Sequence, residues 1–359
     1  MARVRGSTGR ATIRDVAARA DVSVATVSRI LSGAYTAPPA THERVMQAVQ
    51  DLDYVANPNA RSLSAASGLV AMLVNDITSP FFMNVASGVE EQAVADGRIC
   101  VVCSTQGVPE RELAVINLMC QRGAEAIILV GGMAETEGHL AQLAATAERM
   151  ARANARLVLC GRSWKGEKAP IDVVECDMES GAFAATSHLI SAGHTRVAHL
   201  AGPHEFSIAG QRLEGYQRAL RAHGIKLDPT LVTESDMTRE SGYEAARRLL
   251  TGTDATAIFC ANDMSAAGAI AAARDLGRSI PDDLSVVGFD DIPLAEDLYP
   301  QLTTVHVPQQ ELGRSATRLA LHRRPGDPPS RHVVLGSHIV VRQSVAPPVR
   351  LNSTGRDES

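Results

Sequence analysis

The chain has 359 residues, 45% of them apolar and 21% charged, with a formal net charge of −5. That length predicts two or three domains of roughly 150 residues, in a composition ordinary for a soluble globular protein. No apolar run approaches the roughly 18 residues of a membrane span, the start MARVRGSTGRATIRDV lacks an apolar signal region, and six cysteines are too sparse for a disulfide framework, so a cytoplasmic chain with reduced thiols is expected.

Charge is unevenly spread. Residues 1–66 hold eight arginines against five acids (Asp15, Asp21, Glu43, Asp51, Asp53), a balance of +3 that leaves −8 for the remainder. A basic head on an acidic body suits contact with a polyanion. The chain holds 32 Arg and only 3 Lys, as a GC-rich genome would produce, so an arginine at one position carries little weight.

In the head, Ile13, Val16, Ala17 and Ala20 recur at helical spacing and predict a helix over 13–20. Thr12 and Asp15 stand as in a capping box. Asp21-Val22-Ser23 is a short turn, and Ser23 caps a second helix over 24–31, with Val27, Ile30 and Leu31 inward and Gly33 at its end. A third helix runs over 39–52 from Pro39. Two short helices on a three-residue turn, with a third behind, form a helix-turn-helix plan. Its second helix presents N-terminal residues to base edges in the major groove. Here these are Ser23, Val24, Ala25, Thr26, Ser28 and Arg29; Thr12, at the start of the first helix, joins the DNA-binding set. Val24 and Ala25 read shape and thymine methyls, whereas Arg29 can bond a guanine bidentately. The pattern alone leaves a plain three-helix bundle open. Residues 57–64 then read as a turn and a helix too short to stand alone.

From residue 69 apolar runs alternate with helical stretches: 69–74, 85–95, 99–103, 110–121, 126–130, 140–152 and 157–160. A second set follows: 173–176, 181–192, 197–200, 211–223, 245–250, 257–260, 265–276 and 285–289. Strands apolar on both faces between helices imply parallel, doubly wound sheets, and two sets imply two lobes with a ligand cleft at the strands' carboxyl ends. Cys100 and Cys103 form a C-x-x-C inside a strand-like run, on opposite faces, where a redox pair would need a helix start. Gly131-Gly132 lacks a phosphate-loop pattern, and neither G-x-S-x-G nor H-E-x-x-H occurs. His194 and the pair Asp282-Asp283 read as structural. No catalytic site, metal site or cofactor is expected.

TIRDVAARADVSVATVSRILSG and THERVMQAVQDLDYVANPNARSL resemble the head, third helix and hinge of the LacI/GalR family of bacterial repressors. NDITSPFFMNVASGVEEQAVADG, QRLEGYQRAL, AIFCANDMSAAGAI, DDLSVVGFDDIP and LTTVHVPQQELG extend the likeness over nearly all of residues 11–347. Pro38-Pro39 departs from the polar residue that more often opens the third helix. The resemblance implies that Leu63 is a minor-groove wedge, beside Asn57, Ala60 and Arg61, at a central CG step of a near-palindromic operator. It also implies effector-binding roles for Asp290, Arg212, Asn262, Phe81 and Phe82, with Arg162 and Asp177 as further candidates. Asp290 and Arg212 could instead pair with each other, Phe82 could be core, and Asp263 reads as a helix cap. Phe206, Ile208 and Met237 depart from purine-responsive members and point to a sugar.

The expected fold is a helix-turn-helix head (1–57), a hinge (58–67), a two-lobed, periplasmic-binding-protein-like α/β core (68–347) and a polar tail (348–359). The first lobe takes about 68–176 and 306–336, the second about 177–303 and 337–347. The expected function is a homodimeric repressor whose operator affinity is switched by a sugar-like effector. A solute-binding receptor without a DNA role, a cleft enzyme and a co-repressor-activated regulator are the rivals.

Overall fold

The computed structural model describes residues 11–31, 35, 37–54, 68–132 and 136–348. Its contacts divide the chain into two units, Met1–Ser67 and Gly68–Ser359. Gly33, Asn57, Ala60, Arg61, Leu63 and nearly all of the tail lie outside the described residues.

The first unit contains helices α1 (Ile13–Ala20), α2 (Val24–Leu31) and α3 (Pro39–Asp51). Thr12 donates to Asp15 through its backbone N–H at 2.8 Å and its hydroxyl at 2.7 Å. These two bonds hold the Asp15 carboxyl below its ordinary range. Asp21 stops α1 in the left-handed region, at φ 52°. Ser23 then accepts from the Thr26 N–H at 3.1 Å and so caps α2. Val16, Ala20, Val27, Ile30, Val45 and Ala48 form the shared core. Arg19 of α1 pairs with Asp51 of α3 at 2.8 Å.

The second unit holds two parallel sheets. The first takes β1 (Leu69–Val74), β2 (Ile99–Ser104), β3 (Ala124–Val130), β4 (Arg156–Cys160), β5 (Ile171–Cys176) and β11 (His332–Leu335), in the order β11-β5-β4-β3-β1-β2. The second takes β6 (Val197–Ala201), β7 (Val232–Glu234), β8 (Ala257–Cys260) and β9 (Ser285–Val287), in the order β7-β6-β8-β9. β10 (Thr304–His306) and β12 (His338–Val340) pair antiparallel with each other. The apolar run at 173–176 lies in β5 of the first sheet, between β4, where Leu157 registers with Ile171, and the edge strand β11. The expected lobe bounds of 68–176 require this, although the order of apolar runs groups it with the second set.

Helices α4 (Pro80–Ala95), α5 (Pro109–Gln121) and α6 (Glu137–Arg152) follow strands of the first sheet. Helices α7 (Met178–Ser191), α8 (Ser207–Ala222), α9 (Arg239–Gly252) and α10 (Asp263–Asp275) belong to the second set, and the short α11 (Leu294–Asp297) follows β9. α12 (Gln309–Leu321) returns to the first sheet and packs on α4. That contact needs glycine. A Cβ on Gly88 would lie 1.9 Å from the Gln310 carbonyl oxygen, and one on Gly313 would lie 2.2 Å from that of Val85. Cys100 and Cys103 both lie on β2, and burial pushes the Cys100 thiol up to about 11 and the Cys103 thiol in the same direction. Neither is poised as a thiolate. Among the described residues, no helix is long and apolar enough to cross a membrane.

Candidate ligand cavity and nucleic-acid face

A cavity of about 700 Å³ opens where the carboxyl ends of both sheets converge. Its wall is built from the residues that follow the strands. Asn75 follows β1, Gln106 and Gly107 follow β2, Gly131 and Gly132 follow β3, and Gly161 follows β4. From the second sheet come Phe206 and Ile208 after β6, Asp236 to Thr238 after β7, Asn262 after β8 and Asp290 after β9. This is where open parallel sheets place ligands, and the volume falls in the range of small-molecule sites.

Phe81 and Phe82 reach the wall from the first turn of α4. That helix begins at Pro80, five residues before the predicted 85, because Pro80 supplies the fixed φ of a first turn. The two rings meet edge to face, with centroids 5.6 Å apart. Both also pack against the core, so the wall and core readings of Phe82 hold together. Gly131, at φ +91°, leaves room for Phe82: a Cβ there would lie 2.8 Å from the ring. Across the cavity Phe206 approaches Gly132, where a Cβ would lie 3.1 Å from its own.

Arg212 and Asp290 form the charged centre of the wall. Arg212 Nη2 donates to Asp290 Oδ1 at 2.9 Å, and both side chains are nearly inaccessible. Arg212 Nη1 donates to the Ala261 carbonyl. The guanidinium also stacks over the Phe289 ring, 4.0 Å from its centroid. Burial pushes the Asp290 carboxyl up to about 6, against the opposing pull of Arg212. Asp290 lies at φ +103°, a region that L residues rarely adopt. It is held there by its backbone: its N–H donates to the Val305 carbonyl, and its carbonyl accepts from the Gln309 side chain at 2.5 Å. Gln309 in turn accepts from Asn84 of α4 at 2.6 Å.

Asn262 lines the cavity and also caps α10, accepting from the Ser265 N–H at 2.9 Å. Asp263, read as the cap, is instead fully buried. It accepts from the Ile292 N–H and the Thr304 hydroxyl, and burial, then the nearby Asp290 charge, raises its carboxyl well above the ordinary range.

Two expected effector residues lie off the wall. The Arg162 side chain turns into a buried cluster, donating to Glu112 at 3.3 Å beside His139, which meets the same carboxylate at 3.1 Å. Burial pushes the Glu112 carboxyl up, but the His139 bond and the Arg162 charge outweigh it, and the net direction is down. Asp177 is committed to the start of α7, accepting from the Ser180 N–H at 2.9 Å. Conversely, Asn75, Asp76, Gln106 and Asp236 line the cavity and were not anticipated. The signal that could have found them is position: each stands one or two residues beyond a strand end. One cluster among the described residues, His204, Glu205 and Glu234, has metal-ligand spacing within 4.8 Å, and all three residues are exposed.

In the first unit, Val24, Ala25, Ser28 and Arg29 are exposed along α2, while Val27 and Ile30 face the core. Val24 is 41% exposed, an apolar side chain offered to solvent at a helix N-terminus. Arg29 Nε donates to the Ala25 carbonyl at 3.3 Å, and its guanidinium stands 5.8 Å from the Tyr35 ring centroid. Ser23 and Thr26 bond each other at 2.8 Å. Thr12 is engaged in its cap.

The family model described as bacterial regulatory proteins, lacI family, matches residues 12–57, and that of a periplasmic binding protein-like domain matches residues 186–345. The transcriptional regulator DegA of Bacillus subtilis is 33% identical over 340 residues, covering 94% of this chain and 99% of that protein. The transcriptional repressor CytR of Escherichia coli is 33% identical over 332 residues, covering 92% and 93%. Among solved structures, a complex of the transcriptional regulator CelR with cellobiose is 31% identical, with a TM-score of 0.69 over 93% of this chain and 100% of that one. The lac repressor dimer bound to operator and the anti-inducer ONPF is 26% identical, with a TM-score of 0.80 over 94% and 100%.

Proposed function

The chain belongs to the lacI family of bacterial regulatory proteins, and from that premise we propose that it is a dimeric repressor released from, or held on, its operator by a saccharide in the cavity between the two sheets. The observation that carries the ligand half is the cavity itself, with polar groups at the strand ends of both sheets and three phenylalanines around the Arg212–Asp290 pair. A phenyl face covers a sugar ring while in-plane hydroxyls meet carboxylate and guanidinium. The effector residues of this reading are Phe81, Phe82, Arg212, Asn262 and Asp290, joined by Asn75 and Phe206. That a related regulator is solved with cellobiose supports a saccharide.

The DNA half rests on α2. Its outward residues Val24, Ala25, Ser28 and Arg29 would enter the major groove, with Ser23 and Thr26 at the helix start. Leu63 would wedge into the centre of a near-palindromic, CG-centred operator, with Asn57, Ala60 and Arg61 beside it. Two-fold operator symmetry asks for two copies. The free edge of the first sheet suits that pairing. β2 has one strand neighbour, its Ile99 is 58% exposed, and Val101, Val102 and the nearby Val94 of α4 are also exposed. The function places the protein in the cytoplasm with its DNA.

Coupling would run through the crossings between the lobes. Asp290 binds the β10 crossing through its backbone and α12 through Gln309, which grips α4 through Asn84. A ligand that moves Asp290, in the second lobe, therefore acts on α12 and α4 of the first, a two-state element shared by two sites. The test is a titration of operator-bound protein with cellobiose, ribose and related saccharides, read by fluorescence anisotropy. A saccharide that changes operator affinity supports the reading; constant affinity across saccharides that bind the protein removes the coupling.

A further inference from the structure

The charge of the cavity wall narrows what it can hold. Arg212 is the one Lys or Arg among the described lining residues, and it is neutralised by Asp290 at 2.9 Å. Two more carboxylates line the same space, Asp76 from the first-sheet side and Asp236 from the second. Asp76 accepts from the N–H and hydroxyl of Thr78, and neither acid has a salt-bridge partner among the described residues. Three carboxylates thus face one guanidinium.

Two amides of the wall each have one N–H engaged, while Gln106 accepts from Arg111 through Oε1 and keeps its Nε2 as a donor. Asn75 Nδ2 donates to the Gly132 carbonyl at 2.5 Å, and Asn262 Nδ2 to that of Met237 at 2.9 Å. The carboxylates add strong acceptors on both sides of the wall, which suits a ligand rich in donors.

Helix N-termini at the cavity act in the opposite sense, because their free N–H groups favour anions. Here they are weak. α9 and α10 are capped by Thr238 and Asn262, and α4 opens with Pro80, which has no N–H. Only α8 begins without a side-chain cap or a proline. One helix end carries roughly half a positive charge, against two unpaired carboxylates. A cube of 700 Å³ has an edge of about 9 Å, close to the screening length of about 8 Å at physiological salt. The carboxylates therefore act on any ligand that fills the cavity.

We infer that the effector is an uncharged or ammonium-bearing, hydroxyl-rich compound, a neutral saccharide or an amino sugar, and that the wall rejects phosphorylated and carboxylated sugars. This rests on the cavity being the effector site proposed above.

The test is a calorimetric titration of the full chain with matched probes: glucose, cellobiose, ribose and galactose, their phosphates, the corresponding uronic acids, and glucosamine and galactosamine. The strongest binder is expected to be neutral or cationic. Its phosphorylated or carboxylated counterpart is expected to bind at least about tenfold more weakly, about 1.4 kcal/mol. An Asp76→Asn, Asp236→Asn double variant should narrow that gap, and a gap that the double variant leaves unchanged would overturn the inference. An anionic probe that binds more tightly than its neutral counterpart would overturn the inference and leave the cavity as the effector site. Binding by no probe, or binding that Phe82→Ala leaves unchanged, would overturn the effector reading and the inference with it.

Discussion

Replacing Asp290 by asparagine separates ligand binding from folding, because two opposing costs nearly cancel. Removing one partner of a buried ion pair generally costs about 3–5 kcal/mol, since the other charge is left uncompensated. The Asp290 carboxyl, however, is pushed up to about 6 from an ordinary 3.8. At about 1.4 kcal/mol per pH unit, its ionised form costs the folded state about 3 kcal/mol at neutral pH. Asparagine relieves that cost. Arg212 also keeps the Ala261 carbonyl and the Phe289 face. The net change in stability is expected to be a loss of about 0–2 kcal/mol. Ligand binding has no such compensation. A hydrogen bond to a charged group contributes about 1.5–3 kcal/mol, so affinity should fall roughly 10- to 150-fold. Urea denaturation, operator titration and calorimetry with the strongest-binding saccharide read the three quantities separately. In the parent protein that affinity should be full above pH 6 and fall as pH drops through 6, when Asp290 protonates. The variant should lack this dependence. A variant that unfolds, or one that binds the saccharide as the parent does, would refute the reasoning.

Arg29→Ala should cost about 1–3 kcal/mol of operator affinity and relax one base position, measured by competition among operator variants; uniform weakening on every sequence would count against a base contact. His199 is stacked between Tyr216 and Phe259 and lowered to about 4 by burial. An imidazole with a depressed pKa contributes stability above 6.5 that is lost as pH falls towards 4, about 3 kcal/mol in all. His199→Leu should therefore flatten the pH dependence of urea midpoints in that window. Asp290 acts with the opposite sign between about 6 and 3.8, so the difference between parent and variant is the quantity to follow. Gly88→Ala sets a methyl 1.9 Å from the Gln310 carbonyl oxygen, and the α4–α12 contact must separate; a loss of roughly 1–3 kcal/mol in thermal unfolding is expected.

Local signals carried most of what could be read in advance. The head was legible because each boundary has its own residue: Thr12 with Asp15, Asp21 in the left-handed region, Ser23 as a cap. The cavity was legible in outline because strand ends are readable from apolar runs, and Asp290, Asn262 and Phe82 stand at such ends or at a helix start. Position, however, does not fix side-chain direction. Arg162 follows β4 as a ligand residue would, yet a buried carboxylate 50 residues earlier, Glu112, draws it away. Asp177 stands at a crossing, but the N–H groups of α7 claim its oxygen. β11 and the link from Asp290 through Gln309 to Asn84 depend on pairing across long stretches of chain, and no local pattern encodes them.

The proposed repressor reads DNA through α2 as a symmetric pair. Selection from random duplex DNA at a fixed salt concentration tests this most directly, run with and without the saccharide panel. One near-palindrome with a central CG step should be enriched, and the enrichment should be lost when Arg29 and Val24 are replaced by alanine. Failure to enrich any sequence under either condition, or enrichment that those substitutions leave untouched, would contradict it.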